Sequence, residues 1–122
     1  MSRPKEYYFK EGCFIEEWHN SATDKECSIA HVRVEAGKTT KLHALKQTTE
    51  RYVILEGVAT VTVAHKQWRV DQGDVVTINA DEPQKIANHS DNDLLFLAIC
   101  TPRFSEENYY EVEESKDALI SF

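Results

Sequence analysis

Cysteine is scarce in this 122-residue chain: Cys13, Cys27 and Cys100 stand at irregular spacing, with no C-x-x-C pair. An odd, irregular set is no disulfide framework, and a structural zinc site lacks its usual starting pair. Free thiols fit a reducing compartment. The N-terminal Met-Ser-Arg-Pro-Lys-Glu-Tyr-Tyr lacks the apolar core of a secretion signal, and no apolar run approaches membrane-spanning length. These absences lead to the expectation of a cytoplasmic protein with no membrane partner. Positive charge is also short. Fourteen Lys and Arg face 21 Asp and Glu, a net charge of −7, and no basic run is dense, which argues against nucleic acid as a partner. Much of the acidity gathers late, in Glu106, Glu107, Glu111, Glu113 and Glu114, a pattern expected of a solvated tail or exposed turn.

Glycine and proline are few, four and three, and their positions are informative. Gly37, Gly57 and Gly73 separate segments with strand character. Ser28 to Val34 alternates, with Ile29, His31 and Arg33 on one face and Ala30, Val32 and Val34 on the other. Arg51 to Leu55 is aromatic and β-branched, and Ala59 to Ala64 alternates again. His65-Lys66 is read as the tight connection to a partner strand, Gln67 to Val70, which makes a hairpin. Asp71 to Asp74 is a turn, Val75 to Ile78 a strand, Asn79 to Pro83 a polar turn. Gln84 to Asn88 and Leu94 to Cys100 are further strands, the last stopped at Thr101-Pro102. No amphipathic helix interrupts residues 28–101. Short strands at this spacing predict an all-β sandwich or barrel in one domain. Residues 1–27 are too aromatic for a disordered arm and are expected to add an edge strand or to pack on a partner subunit. Residues 102–122 form a C-terminal extension in which Ser105 caps a short helical turn.

Two stretches carry chemistry. Gly37-x5-His43-x-Leu45-x4-Glu50-x6-Gly57 brackets a histidine and a glutamate between glycines, and Gly73-x5-Asn79-x-Asp81-x2-Gln84-x3-Asn88 follows with its own fixed spacing. The two resemble the paired signature motifs of the cupin family, G-x5-H-x-H-x3-4-E-x6-G and G-x5-P-x-G-x2-H-x3-N. The departures are Leu45 at the second histidine, Asn79 at the proline, Asp81 at the glycine and Gln84 at the last histidine. The resemblance covers residues 28–101 and implies a double-stranded β-helix, the cupin jelly-roll barrel.

In the family the His and Glu positions hold a metal. Carried over, the set is His43, Glu50 and Gln84. Alternation along strands points His43 and residue 45 into the barrel mouth, with Glu50 projecting from the next strand and Gln84 completing the set from the facing sheet. Imidazole with carboxylate suits Fe, Mn, Ni or Zn. Leu45 cannot ligate, Gln84 offers only a neutral oxygen, and water or Gln47 is left to fill the vacancy. Without a metal, His43 and Glu50 would form a hydrogen-bonded polar pair and Gln84 a satisfied amide. Tyr52 shares the parity of Glu50, so it and His43 are the candidate catalytic groups. His19, His65 and His89 are expected at the surface, His31 exposed or facing a subunit. Cys100 is expected to be a buried small hydrophobe, and Lys41, Lys46 and Lys85 to be exposed. The resemblance implies a small-molecule site of dioxygenase, isomerase or lyase type, or else a metal-free binding or sensing module. Exposed edge strands of a partly closed barrel imply a homodimer.

Overall fold

A computed structural model describes residues 5–114. Eleven strands form two antiparallel sheets: β1 (Tyr7–Phe9), β2 (Cys13–His19), β3 (Ser28–Val34), β4 (His43–Leu45), β5 (Thr49–Glu56), β6 (Val58–Val63), β7 (Lys66–Asp71), β8 (Val75–Ile78), β9 (Gln84–Ala87), β10 (Leu94–Thr101) and β11 (Tyr109–Glu111). One sheet runs β1-β2-β3-β10-β5-β8, the other β11-β4-β9-β6-β7. From β3 to β6 the chain alternates between sheets, which is the jelly-roll path that the motifs implied.

The strands follow from their sequences. Leu94, Phe96, Ala98 and Cys100 on β10 are buried while their neighbours are half-buried, the period of two expected of a strand with one face on a core. Val32, Val34, Ile54, Val61, Val76, Ile78, Ile86 and Phe96 fill the space between the sheets. Packing of this kind, at roughly 1.5–3 kcal/mol per large apolar side chain, holds the sheets face to face.

The corners show where local chemistry decides. Gly57 (φ 97°) carries the chain from β5 to β6. A Cβ there would lie 3.1 Å from the Asp93 carbonyl oxygen and 3.2 Å from Leu94 Cα. Gly37 (φ 77°) has nothing within 4 Å of the same position. Left-handed backbone costs a residue with a side chain about 1–2 kcal/mol. Gly37→Ala is therefore expected to lose about 1 kcal/mol in urea unfolding, and Gly57→Ala at least about 2 kcal/mol because backbone must also move. Equal losses at the two sites would remove the crowding from this explanation. Asp81, which stands at a motif glycine, adopts φ 65°, a conformation aspartate tolerates better than most residues. Asn88, fully buried, donates to the carbonyls of Val34 (3.0 Å) and Asn92 (2.8 Å) and accepts from the Ser90 N–H (3.0 Å) and hydroxyl (2.7 Å). The motif asparagine therefore ties the loop after β9 to β3.

Three expectations need correction and one is met. The hairpin turns at Ala64-His65, with Val63 opposite Lys66 and Ala64 at φ 56°; the reversal sits one residue earlier than composition suggested. Residues 7–19 supply two strands of the larger sheet, with β1 at its edge as expected, and place Phe9 and Cys13 in the core. Ser105 precedes a single 3₁₀ turn, Glu106–Asn108, without a side-chain cap bond. That turn leads into β11, which pairs with β4 and buries Tyr109. Gln47 is an exposed residue at φ 55° in the β4–β5 turn, where it cannot serve the interior. Tyr8 and Trp18 are 62% and 48% exposed, and both lie on the first two strands. Among the described residues no helix is long and apolar enough to cross a membrane.

Candidate functional site

His43 and Gln84 face each other across the β4–β9 ladder, in the smaller sheet. Glu50 and Tyr52 project from β5 in the larger one. The set is therefore split differently from the expected one: Gln84 shares a sheet with His43, and the glutamate comes from opposite. The registers explain why the two walls meet. Glu50 stands between Cys100 and Ile78 on its neighbours, and Tyr52 between Ala98 and Val76, so both side chains point inward with the buried faces of β10 and β8.

One hydrogen-bond chain crosses the interior. The Tyr52 hydroxyl donates to Gln84 Oε1, and Gln84 Nε2 donates to Glu50 Oε1 at 2.8 Å. The other carboxylate oxygen, Oε2, meets only the Cys100 thiol, at 3.7 Å. Glu50 thus bonds to Gln84 and not to His43. Burial, and then the charge of Glu11, push the Glu50 carboxyl up to about 7, against the opposing pull of His43, Gln84 and Cys100. The Tyr52 hydroxyl is driven well above its ordinary range, first by burial and then by Glu50. Cys13 and Cys100 are pushed up for the same reason, so these thiols are weak donors and poor nucleophiles.

Glu11, in the β1–β2 turn, was not anticipated from sequence. Its backbone carbonyl accepts the Lys41 N–H at 2.7 Å. The Lys41 carbonyl in turn accepts from His43 Nδ1 at 2.7 Å. A carbonyl only accepts, so Nδ1 carries the proton. Burial holds the His43 pKa below its ordinary value, so Nε2 is the bare nitrogen of a neutral ring. Nε2 lies 3.6 Å from Glu11 Oε2. Burial pushes the Glu11 carboxyl up to about 7, with the Cys13 thiol pulling it back. Tyr109 stacks on the His43 ring at 5.1 Å and fixes its plane. In the structure every odd residue from Tyr7 to His19 lines the interior cleft, a period of two that the residue types of the segment do not display.

That cleft, of about 50 Å³, has Glu50, Tyr52, Cys100 and Phe96 in its depth and Glu17, His19 and Asn20 at its solvent end. Neither His43 nor Gln84 lines it, and of the histidines only His19 does, at the rim. His19 pairs with Asp24 at 2.7 Å, His31 stacks on Trp18, and His65 and His89 are exposed. Lys41 and Lys46 are exposed and Lys85 is half-buried.

The donors present do not suit a transition metal. Both polar atoms of the Gln84 amide are committed within the chain, Leu45 is core, and the bare His43 nitrogen faces Glu11. Among the described residues no three His, Cys, Asp or Glu side chains form a group able to hold a metal ion.

Comparison with known proteins gives a consistent result. The profile of the Cupin domain matches residues 30–100. An uncharacterized protein of Methanocaldococcus jannaschii is 32% identical over 106 residues, 85% of each chain. Among solved structures, Pac13 of Streptomyces, described as a nucleoside dehydratase, superposes with a TM-score of 0.77 over 95% of this chain and 90% of that one at 13% identity. A predicted oxalate decarboxylase from Thermotoga maritima gives 0.69 over 82% and 92% at 24% identity. At such identities the two solved structures speak for the fold alone.

Proposed function

This chain belongs to the cupin family, and from that premise we propose that its barrel is a small-molecule site doing proton-transfer chemistry of isomerase or lyase type with its own side chains. The observation that carries the reading is the pair of carboxyl groups, buried Glu50 and part-buried Glu11, on one cleft, with a neutral imidazole 3.6 Å from Glu11. Both carboxyls sit near pH 7, where a group is an efficient acid and an efficient base. They titrate as a coupled pair that holds about one proton at neutrality.

The two carboxyls divide the roles between them. Glu50 accepts from Gln84 and Cys100, the Cys13 thiol pulls Glu11 down, and an ionised Glu11 favours a protonated Glu50. The ionised member takes a proton from the bound molecule and the protonated member returns one, leaving the total held by the pair unchanged. Environments that separate two titratable groups into acid and base are a recurrent device of such sites. Tyr52 and Gln84 then hold the Glu50 carboxylate in place rather than exchanging protons with the ligand.

The test follows candidate molecules, drawn from a metabolite panel with exchangeable C–H or eliminable groups, by proton NMR in D2O. Deuterium incorporation or turnover is expected with wild-type protein, expected to survive exhaustive chelation, and expected to fall at least about 100-fold in Glu50→Gln. Turnover that appears only after Fe(II), Mn(II), Ni(II) or Zn(II) is restored would overturn the reading, as would a fully active Glu50→Gln.

A further inference from the structure

We propose that the inner cleft selects an organic ammonium group, the charged head of an amine or alkylammonium ligand; this rests on the reading that the cleft is the working site. The first observation is the wall. Tyr7, Phe9, Tyr52, Phe96 and Phe104 all line it. Phe9 and Phe104 meet edge to face with ring centroids 6.1 Å apart, and Tyr52 and Phe96 lie 4.5 Å apart. Aromatic rings attract cations, most strongly where water is excluded.

The second observation is charge. Glu50 in the depth, part-buried Glu11 and Glu17 at the solvent end all line the cleft, and among the described residues neither lysine nor arginine does. The nearest bases are engaged elsewhere. His43 is neutral, with its one N–H on the Lys41 carbonyl. His19 is paired with Asp24. Arg103 lies outside the cleft, on the outer groove, with Nε donating to Asn20 at 2.7 Å. Lys10 lies over the Phe9 and Tyr109 rings and 3.5 Å from Glu106. A carboxylate or phosphate drawn into the cleft would lose its water and gain no counter-charge.

The third observation is an unmet acceptor. Glu50 is only 8% exposed, and its Oε2 has no better donor than the Cys100 thiol at 3.7 Å. An ammonium N–H is the donor that this oxygen lacks. Size agrees. About 50 Å³ holds roughly four water-sized groups, enough for an ammonium head and its first carbons. An outer groove of about 290 Å³ shares Tyr7, Phe9, Glu17, Asn20 and Phe104 with the cleft and takes the remainder of the ligand.

The experiment is isothermal titration at pH 8 with two matched series: n-butylammonium, n-butanol and butyrate, then benzylammonium, benzyl alcohol and benzoate. The ammonium member of at least one series is expected to bind at least tenfold tighter than its alcohol, with no measurable binding of either carboxylate. Glu17→Gln, at the exposed end, is expected to weaken the ammonium about threefold while keeping the fold, and Glu50→Gln to weaken it more than tenfold. An alcohol binding as tightly as its amine, a carboxylate binding best, no binding in either series, or an unaffected Glu50→Gln protein of native circular dichroism would each overturn the proposal. The two readings fail separately. Loss of charge selectivity with Glu50-dependent proton transfer intact removes this one alone, whereas ammonium binding by a protein that exchanges no protons removes the other.

Discussion

Replacing Glu50 by glutamine is expected to stabilise the protein by about 3 kcal/mol at pH 8.5 and to change its stability by less than about 0.5 kcal/mol near pH 4. The unfolded carboxyl ionises near 4.5, the folded one near 7. Between those values the unfolded chain releases a proton that the native state retains, so the wild type loses stability as pH rises through the window. Above about 7 both states are ionised and the full penalty of a buried charge remains. This is opposite in sign to the usual salt-bridged carboxylate, whose stability is lost on acidification. Glutamine keeps the acceptor for Gln84 Nε2 and removes the charge, so the hydrogen-bond chain survives. Urea titrations from pH 4 to 9 decide the matter, and parallel curves for wild type and variant would end the idea. Glu11→Gln is expected to follow the same course with a smaller amplitude, because its side chain keeps 14% of its exposure. The double variant is expected to gain less than the sum, since each charge is part of the other's penalty. A stability cost concentrated on two cleft residues is what a site selected for chemistry retains.

Gln84→Leu is expected to cost about 3–4 kcal/mol at pH 8. Leucine fills a similar volume but strands two buried partners, the Tyr52 hydroxyl and Glu50 Oε1, each of which then bears a desolvation penalty of about 1–3 kcal/mol. The loss is expected to shrink at pH 5, because a protonated Glu50 is cheaper to leave without a donor. It is also expected to shrink by about 1–2 kcal/mol in a Tyr52→Phe background, where there is no hydroxyl to strand. The coupling in this double-mutant cycle measures the Tyr52–Gln84 contact. A cost of under about 1 kcal/mol, independent of pH and of Tyr52, would mean that Gln84 is a spacer and that Glu50 is held by something else. The same cycle bears on the absent imidazole: a side chain that spends both polar atoms on Tyr52 and Glu50 has a structural task that explains its presence without a metal.

Much of the architecture was legible before any coordinates. Ser28–Val34 and Val75–Ile78 are strands with the expected bounds, because a period of two with one apolar face has few other solutions. Gly57 and Asp81 mark positions where φ must be positive, a demand written in single residues. The β6–β7 turn slipped by one residue because no Asn-Gly pair marks it and Ala64, an unfavoured residue, takes the left-handed position. Glu11 was passed over because the aromatic N-terminal segment has two short strands split by a turn, which hides its alternation from a reading that looks for longer runs.

By itself the sequence determined the local matters: which stretches are strands, where the chain can turn, and which face of each strand is apolar, all of which depend on neighbours a few residues away. It also marked His43 as inward-facing through alternation, Glu50 and Gln84 through the resemblance of their motifs, and Tyr52 through its parity with Glu50. Only the tertiary structure decided who meets whom. Sheet order put His43 beside Gln84 and Glu50 opposite, brought Glu11 in from a turn about 40 residues earlier in the chain, and turned Gln84 from a candidate ligand into a bridge between Tyr52 and Glu50. It decided the chemistry as well, because the protonation of a carboxyl depends on the water and charge around it. That surrounding is assembled from strands far apart in sequence and has no signature in any one of them.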